Sequence, residues 1–258
     1  MEHIKTETIG QVLKLTLNRP DKFNSFNREM ALQLQHALDA AAADKNIRAV
    51  LLTGEGKAFC AGQDLSEAMD PLGPGIERIV QEHYNPIILK IRELEKPVIC
   101  AVNGVAAGAG ANIALACDVV VAGASVSFIQ AFSKIGLIPD SGGTFFLPRI
   151  IGFGRASALM MLGDKVPAAD ALQMGMIYKV VEDVDLAEAA LAIANTLASM
   201  PTKGLGLTKR LLNRSLSSSL GEQLEAEGIE QVVAARTSDY NEGVKAFLQK
   251  RKPEFKGE

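Results

Sequence analysis

Two kinds of chain follow one another in this sequence, and that segregation limits the folds open to it. Up to residue 184, short apolar runs alternate with segments of helical periodicity; from 185 to 258 the helical pattern continues and the runs stop. Val12 to Leu17 alternate apolar and polar, the period of a half-buried strand. "AVLLTGEG", "KPVICAVNG" and "VVVAGA" are compact apolar runs bounded by glycine, which read as buried strands. Between them lie helical patterns. Asn27 is a suitable cap for a helix with apolar positions at Met30, Leu34, Ala37, Leu38 and Ala41. A long helix is expected from about Gly75 to Leu94, and "GANIALACD" reads as a buried helix. "EAMDPLGPG" reads as a loop. Strands separated by helices in this way form parallel sheets joined by crossover helices. The strand-free end cannot extend such a sheet, so it packs on the core or reaches a neighbouring subunit. The expectation is an α/β chain with a core over 1–184 and a helical region over 185–258.

With 258 residues and 48% hydrophobic content, the chain can bury a full core. A net charge of −3 argues against nucleic acid or an acidic membrane as a partner for the surface as a whole. No apolar run approaches the roughly 20 residues of a membrane span. The opening "MEHIKTETIG" lacks a charged-then-apolar leader, which points to the cytoplasm. Cys60, Cys100 and Cys117 are odd in number and widely spaced, as expected of buried reduced thiols.

Familiar catalytic and binding motifs are missing. "GVAAGAG" does not have dinucleotide-binding spacing, "GEGKA" lacks the Lys-Ser/Thr of a phosphate loop, and no G-x-S-x-G elbow occurs. His3, His36 and His83 form no metal pattern with the cysteines, so no metal is expected. Two glycine-bearing turns remain, "CAGQD" at 60–64 after a strand and "AAGAGAN" at 106–112 opening a helix. Small residues there allow either tight packing of helix on sheet or close approach of a ligand to free backbone N–H groups, which can hold an oxyanion. A third stretch, "GLIPDSGGTFFLP", sets one ionisable group, Asp140, among apolar residues. Pro139-Asp140-Ser141-Gly142 is good turn chemistry. A carboxylate facing an apolar pocket would instead be tuned as a base.

Four blocks, "NRPDKFNSFNREM", "GKAFCAGQDL", "KPVICAVNGVAAGAGANIALACDVVVAG" and "GLIPDSGGTFFLPRIIG", occur in an order that resembles the enoyl-CoA hydratase/isomerase (crotonase) superfamily. The resemblance reaches the end of the chain through "DYNEGVKAFLQKRKPEF". It implies a spiral of ββα repeats over 1–184, carrying the active site. It also implies a helical C-terminal trimerisation region over 185–258, and a homotrimer or a homohexamer of two trimers. The substrate would be an acyl-CoA thioester, with CoA part of the substrate and no separate cofactor. The backbone N–H groups of Gln63 and Ala109 would hold the thioester oxygen. Main-chain groups near Lys22, Ala61 and Gln63 would hold the CoA nucleotide, and a neighbour's Phe247 and Lys250 would complete that site. Hydratases of the family use two glutamates. Those positions here are Asn112, which can hydrogen-bond a water but not take its proton, and Phe132, which would help form an apolar acyl pocket. Asp140 is the one acid at the matched positions and the expected general base.

One base and an oxyanion hole suit a proton shuttle. The resemblance implies conversion of ring-1,2-epoxyphenylacetyl-CoA to oxepin-CoA, and a shift of 3-enoyl-CoA to 2-enoyl-CoA. A fatty-acid enoyl-CoA isomerase or weak hydratase is the alternative among enzymes. A catalytically silent scaffold or RNA-binding homologue is the alternative of another class; the charge balance and Asp140 count against it.

Overall fold

The computed structural model describes residues 2–258. Its strands are β1 (Ile4–Ile9), β2 (Val12–Leu17), β3 (Ala49–Gly54), β4 (Ala58–Cys60), β5 (Val98–Val102), β6 (Val105–Ala107), β7 (Val119–Gly123), β8 (Ser127–Ile129), β9 (Lys165–Pro167) and β10 (Lys179–Val181). One sheet has the order β1-β2-β3-β5-β7-β10, and a second has the order β4-β6-β8-β9. β3, β5 and β7 of the first sheet are each followed at once by a short strand of the second, then by a helix. The result is a repeated ββα turn that winds the two sheets up together. Pairing along each spiral is parallel; β1 with β2 and β8 with β9 are antiparallel.

The period-two alternation of the long strands feeds two apolar layers. Leu15, Leu17, Val50, Leu52, Val98 and Cys100 face the main core, which also holds the helix Arg28–Ala43. Val12, Ala49, Leu51, Ile99 and Val121 face the other way. Leu186, Ala190, Ala194 and Ala198 cover that second layer, at the four-residue spacing of one helix face. Three alanines on that stripe let the helix Leu186–Ala198 lie close to the sheet. Asn27 caps its helix as expected, accepting from the Met30 N–H at 3.0 Å. After β10 the described chain is helical, over Thr202–Ser215, Leu220–Ala235 and Ser238–Leu248. The chain end folds back: Asp239, buried, accepts from the N–H groups of Lys256 (2.6 Å) and Gly257 (2.7 Å). No helix of the described residues is long and apolar enough to cross a membrane.

Three features depart from the sequence reading. β1, β6, β8, β9 and β10 have no counterpart in the sequence reading; the last four are three residues each, too short for alternation to register. In "EAMDPLGPG" a short helix, Leu65–Ala68, precedes the loop. The helix over 75–93 is α at both ends but widens to a π-turn over Ile79–Tyr84. Pro86 has no N–H for the carbonyl of Glu82, and the Gln35 side-chain amide donates to it instead at 2.7 Å. Both His83 and Tyr84 are buried at the end of this widened turn.

Two close approaches depend on missing side chains. A Cβ on Gly104, at the corner between β5 and β6, would lie 2.2 Å from the Lys57 carbonyl oxygen. A Cβ on Gly110, in the helix Ala109–Leu115, would lie 2.5 Å from the Cys60 carbonyl oxygen. Gly110→Ala should therefore lower the unfolding free energy by about 1–3 kcal/mol, the usual cost of overpacking. Thermal or urea unfolding against wild type checks this.

Candidate active site

β4 ends at Cys60, and the chain turns through Ala61, Gly62 and Gln63. Gly62 has φ 95°, open to glycine at no steric cost. The turn is pinned from outside: Ala61 N–H donates to Phe23 O (3.0 Å), Phe26 N–H to Gly62 O (2.7 Å) and Asp64 N–H to Phe26 O (2.8 Å). The second turn runs from Ala107 through Gly108 into the helix Ala109–Leu115. The two turns lie side by side: a Cβ on Gly62 would be 3.1 Å from Ala107 O and 3.7 Å from Ala109 N. The N–H groups of Gln63 and Ala109 have no acceptor among the described residues.

Both turns border a cavity of about 600 Å3 that also takes in Phe132, Tyr84 and Asp140. Its wall is largely apolar, including Ile79, Leu137 and Ile138. Phe132 is buried, with its ring edge 3.6 Å from where a Cβ on Gly108 would sit. Asp140 is the one carboxylate in the lining.

Asp140 takes part both in a turn and in the cavity lining. It begins a turn one residue later than Pro139–Gly142: the Gly143 N–H donates to Asp140 O at 2.9 Å, across Ser141 (φ 51°) and Gly142 (φ 72°). Its carboxylate meanwhile belongs to the cavity. Burial raises its pKa from 3.8 to about 6, against the opposing pull of the Ser141 hydroxyl, which donates to Oδ1 at 2.9 Å.

Tyr84 escaped the sequence reading. Its hydroxyl donates to Gln63 Oε1 at 2.8 Å, and Gln63 Nε2 donates to Glu67 at 3.0 Å, so the Gln63 side chain is held from both ends. Burial lifts the Tyr84 hydroxyl well above its ordinary range, which keeps it a donor. The available signal was its place on the buried stripe of the 75–93 helix with Ile79, Ile87 and Ile91. Asn112 also differs from expectation. Its amide is not presented to water, because both ends are hydrogen-bonded within the chain, to Gln130 and to the Asp140 carbonyl.

Lys22, Phe247 and Lys250 stand apart from the cavity lining of their own chain. Lys22 ends the short turn Pro20–Lys22, whose neighbour Phe23 anchors Ala61. Phe247, 82% exposed, borders a separate apolar groove of about 440 Å3 with Tyr240, Val244 and Phe255. Lys250 is exposed just beyond the last helix. The three cysteines are free and buried, and burial pushes the Cys60 thiol up to about 12. No cluster able to hold a metal occurs among the described residues.

A model of the family described as enoyl-CoA hydratase/isomerase matches residues 7–258. The chain is 50% identical over 260 residues to the 1,2-epoxyphenylacetyl-CoA isomerase of Escherichia coli (strain K12), covering 100% of this chain and 99% of that one. It is 36% identical over 249 residues to the trans-2-decenoyl-(acyl-carrier-protein) isomerase of Streptococcus mutans serotype c, with 95% of each covered. Among solved structures, an enoyl-CoA hydratase from Polaromonas sp. JS666 superimposes with a TM-score of 0.91 at 37% identity, over 98% of this chain and 99% of that one. Likeness over nearly the full length, on a core of repeated ββα turns, gives a plain result: the chain belongs to the enoyl-CoA hydratase/isomerase family.

Proposed function

We propose that this protein is an acyl-CoA isomerase that converts ring-1,2-epoxyphenylacetyl-CoA to oxepin-CoA and shifts 3-enoyl-CoA to 2-enoyl-CoA. The observation that carries the proposal is a single carboxylate, with its pKa raised to about 6, in an apolar cavity beside two unpaired backbone N–H groups. Likeness to the Escherichia coli isomerase supports the choice of acyl group.

The thioester oxygen sits between the N–H groups of Gln63 and Ala109. Asp140 removes a proton from the carbon beside the thioester carbonyl, and the electron pair moves onto that oxygen as a dienolate. The protonated Asp140 returns the proton further along, so the double bond moves and no atoms are gained or lost. With a ring epoxide, the same deprotonation lets the strained ring open into a seven-membered oxygen heterocycle. A pKa near 6 suits a group that must take a proton and give it back near neutral pH. The volume and apolar wall of the cavity accommodate an aromatic-derived acyl group. Phe132 keeps water from the reacting carbons.

CoA runs from the cavity past Ala61, Gln63 and Lys22, and Phe247 and Lys250 of a neighbouring copy close over its nucleotide. Their distance from the cavity lining of their own chain suits that arrangement. So does the apolar surface left on Leu220–Ala235, where Leu220, Leu224, Ile229 and Val232 are exposed. The assembly is a homotrimer or a pair of trimers, and three buried reduced thiols suit a cytoplasmic setting. The defining experiment is product analysis with epoxyphenylacetyl-CoA, with turnover compared against a linear 3-enoyl-CoA. Faster turnover of the linear ester would favour a fatty-acid isomerase.

Asp140→Asn should lower isomerisation by roughly 100- to 10,000-fold with acyl-CoA affinity nearly unchanged. Its stability should move the other way. A carboxyl with a raised folded-state pKa favours the fold most below its unfolded value of 3.8, and loses that contribution as pH rises through about 6. The Asn variant should therefore be more stable than wild type at pH 8, by at most about 3 kcal/mol in unfolding free energy, which thermal unfolding reads as a higher melting temperature. The difference should close below pH 4.

In wild type, kcat/KM should fall about tenfold per pH unit below an acid limb near pH 6, and be flat above it until a second group titrates. A pH series with one substrate locates the limb.

Hydration should be very slow. Water addition needs a carboxylate to activate water and an acid to protonate the neighbouring carbon, and only Asp140 is present. Crotonyl-CoA incubated with the enzyme should yield 3-hydroxybutyryl-CoA orders of magnitude more slowly than isomerisation proceeds. Equal rates, both dependent on Asp140, would show the site to be a hydratase.

A further inference from the structure

Behind the Asp140 turn lies a buried chain of two amides that the mechanism above does not use. Gln130 Nε2 donates to Asn112 Oδ1 at 2.7 Å, and Asn112 Nδ2 donates to the Asp140 carbonyl oxygen at 2.8 Å. Gln130 and Asn112 are 5% and 1% exposed. The direction of the chain is set by its last acceptor. A peptide carbonyl can only accept, so the NH2 end of Asn112 must face Asp140. Its oxygen is then turned to Gln130, which must answer with its own NH2 end. An ionised Asp or Glu in place of Asn112 has no hydrogen to donate, and would set oxygen against oxygen in a buried site.

The turn that receives this bond is one the chain would not hold unaided. Ser141, buried and not glycine, sits at φ 51°, a left-handed conformation disfavoured for side chains with a Cβ. The Asp140 carbonyl takes two donors, Gly143 N–H and Asn112 Nδ2, which uses both its lone pairs. Gly143 is pressed against the amide: a Cβ there would lie 2.4 Å from Asn112 Nδ2. The backbone that carries the Asp140 side chain is thus clamped from behind by a helix residue outside the cavity lining.

We infer that Asn112 is the positioning residue for Asp140: its amide, held at the oxygen end by Gln130, fixes the Asp140 turn so that the carboxylate points into the cavity. The inference rests on the reading of Asp140 as the base. Asn112 touches neither substrate nor the travelling proton. A misplacement of about 1 Å in a reacting group can cost on the order of 100-fold in rate, so the loss is expected in kcat and not in acyl-CoA binding.

The test is steady-state isomerisation of a 3-enoyl-CoA by the full-length protein with Asn112→Leu and Asn112→Asp, each made in wild type and in Asp140→Asn. Both single variants should lower kcat by about 10- to 100-fold with KM within about threefold. Asn112→Asp should also move the acid limb to higher pH, because a second carboxylate then faces the base. In the Asp140→Asn background, the same substitutions should change the residual rate less than about twofold, the non-additivity of residues acting as one unit. A residue with only a structural role would lower the melting temperature in both backgrounds, and leave kcat and the acid limb of the folded enzyme unchanged. Asn112→Asp, of nearly the same volume, carries the test if Asn112→Leu does not fold. A folded Asn112→Asp enzyme with wild-type kcat and acid limb, beside an inactive Asp140→Asn, would overturn the inference alone. An active Asp140→Asn would overturn the inference together with the reading of the site.

Discussion

Gly110 lies against Cys60 with no room for a side chain on the glycine, and the rest of the site depends on that contact. It brings the end of β4 onto the start of the helix Ala109–Leu115, so that residues 46 positions apart, Gln63 and Ala109, line one cavity. A single extra carbon at the contact would push the two turns apart. Small residues there serve packing and backbone presentation together, because the same close approach produces both. Of the alternatives posed by the sequence, tight packing is what the contact shows, and the same packing is compatible with the proposed ligand approach.

Against this backbone frame stands one carboxylate. Asp140 is buried enough for its charged form to be costly, and the Ser141 hydroxyl recovers only part of that cost. The Gly143 N–H and the Asn112 amide bond the Asp140 peptide carbonyl, so they hold the turn and leave the cost of the charge on the carboxylate. Preorganisation of this kind explains how one carboxylate can serve as the proposed proton carrier without a second acid. A mobile side chain would seek water, and its pKa would drift back toward the ordinary range.

The helical end divides its work. Leu186–Ala198 seals the outer layer of the first sheet with a stripe of small residues. Beyond it, the chain end is tied back to Arg48 and Asp239, and the Arg48 guanidinium donates to Thr202, Met200 and Phe255. These ties hold the last helix, with Phe247 and Lys250, in place on the surface. That placement is what the proposed sharing of a CoA site between copies requires.

The sequence by itself determined the class of fold, since period-two runs alternating with period-3.6 segments can bury their apolar faces only as layered sheet and helix. It also determined the cap at Asn27, the buried helix at Ala109–Leu115, and the isolation of Asp140 as the one acid among apolar neighbours, because each is written in contiguous residues. Only the tertiary structure decided the remainder. β9 and β10 exist because a sheet edge was waiting for three-residue segments with no pattern of their own. Tyr84 meets Gln63 across 21 residues through a helix that Pro86 and Gln35 force to widen. Asn112 meets Asp140 across 28 residues, and its amide orientation follows from an acceptor that belongs to another turn. Periodicity reports which face of an element is buried. Which buried polar atom finds which partner depends on how the elements cross, and that is a property of the folded chain.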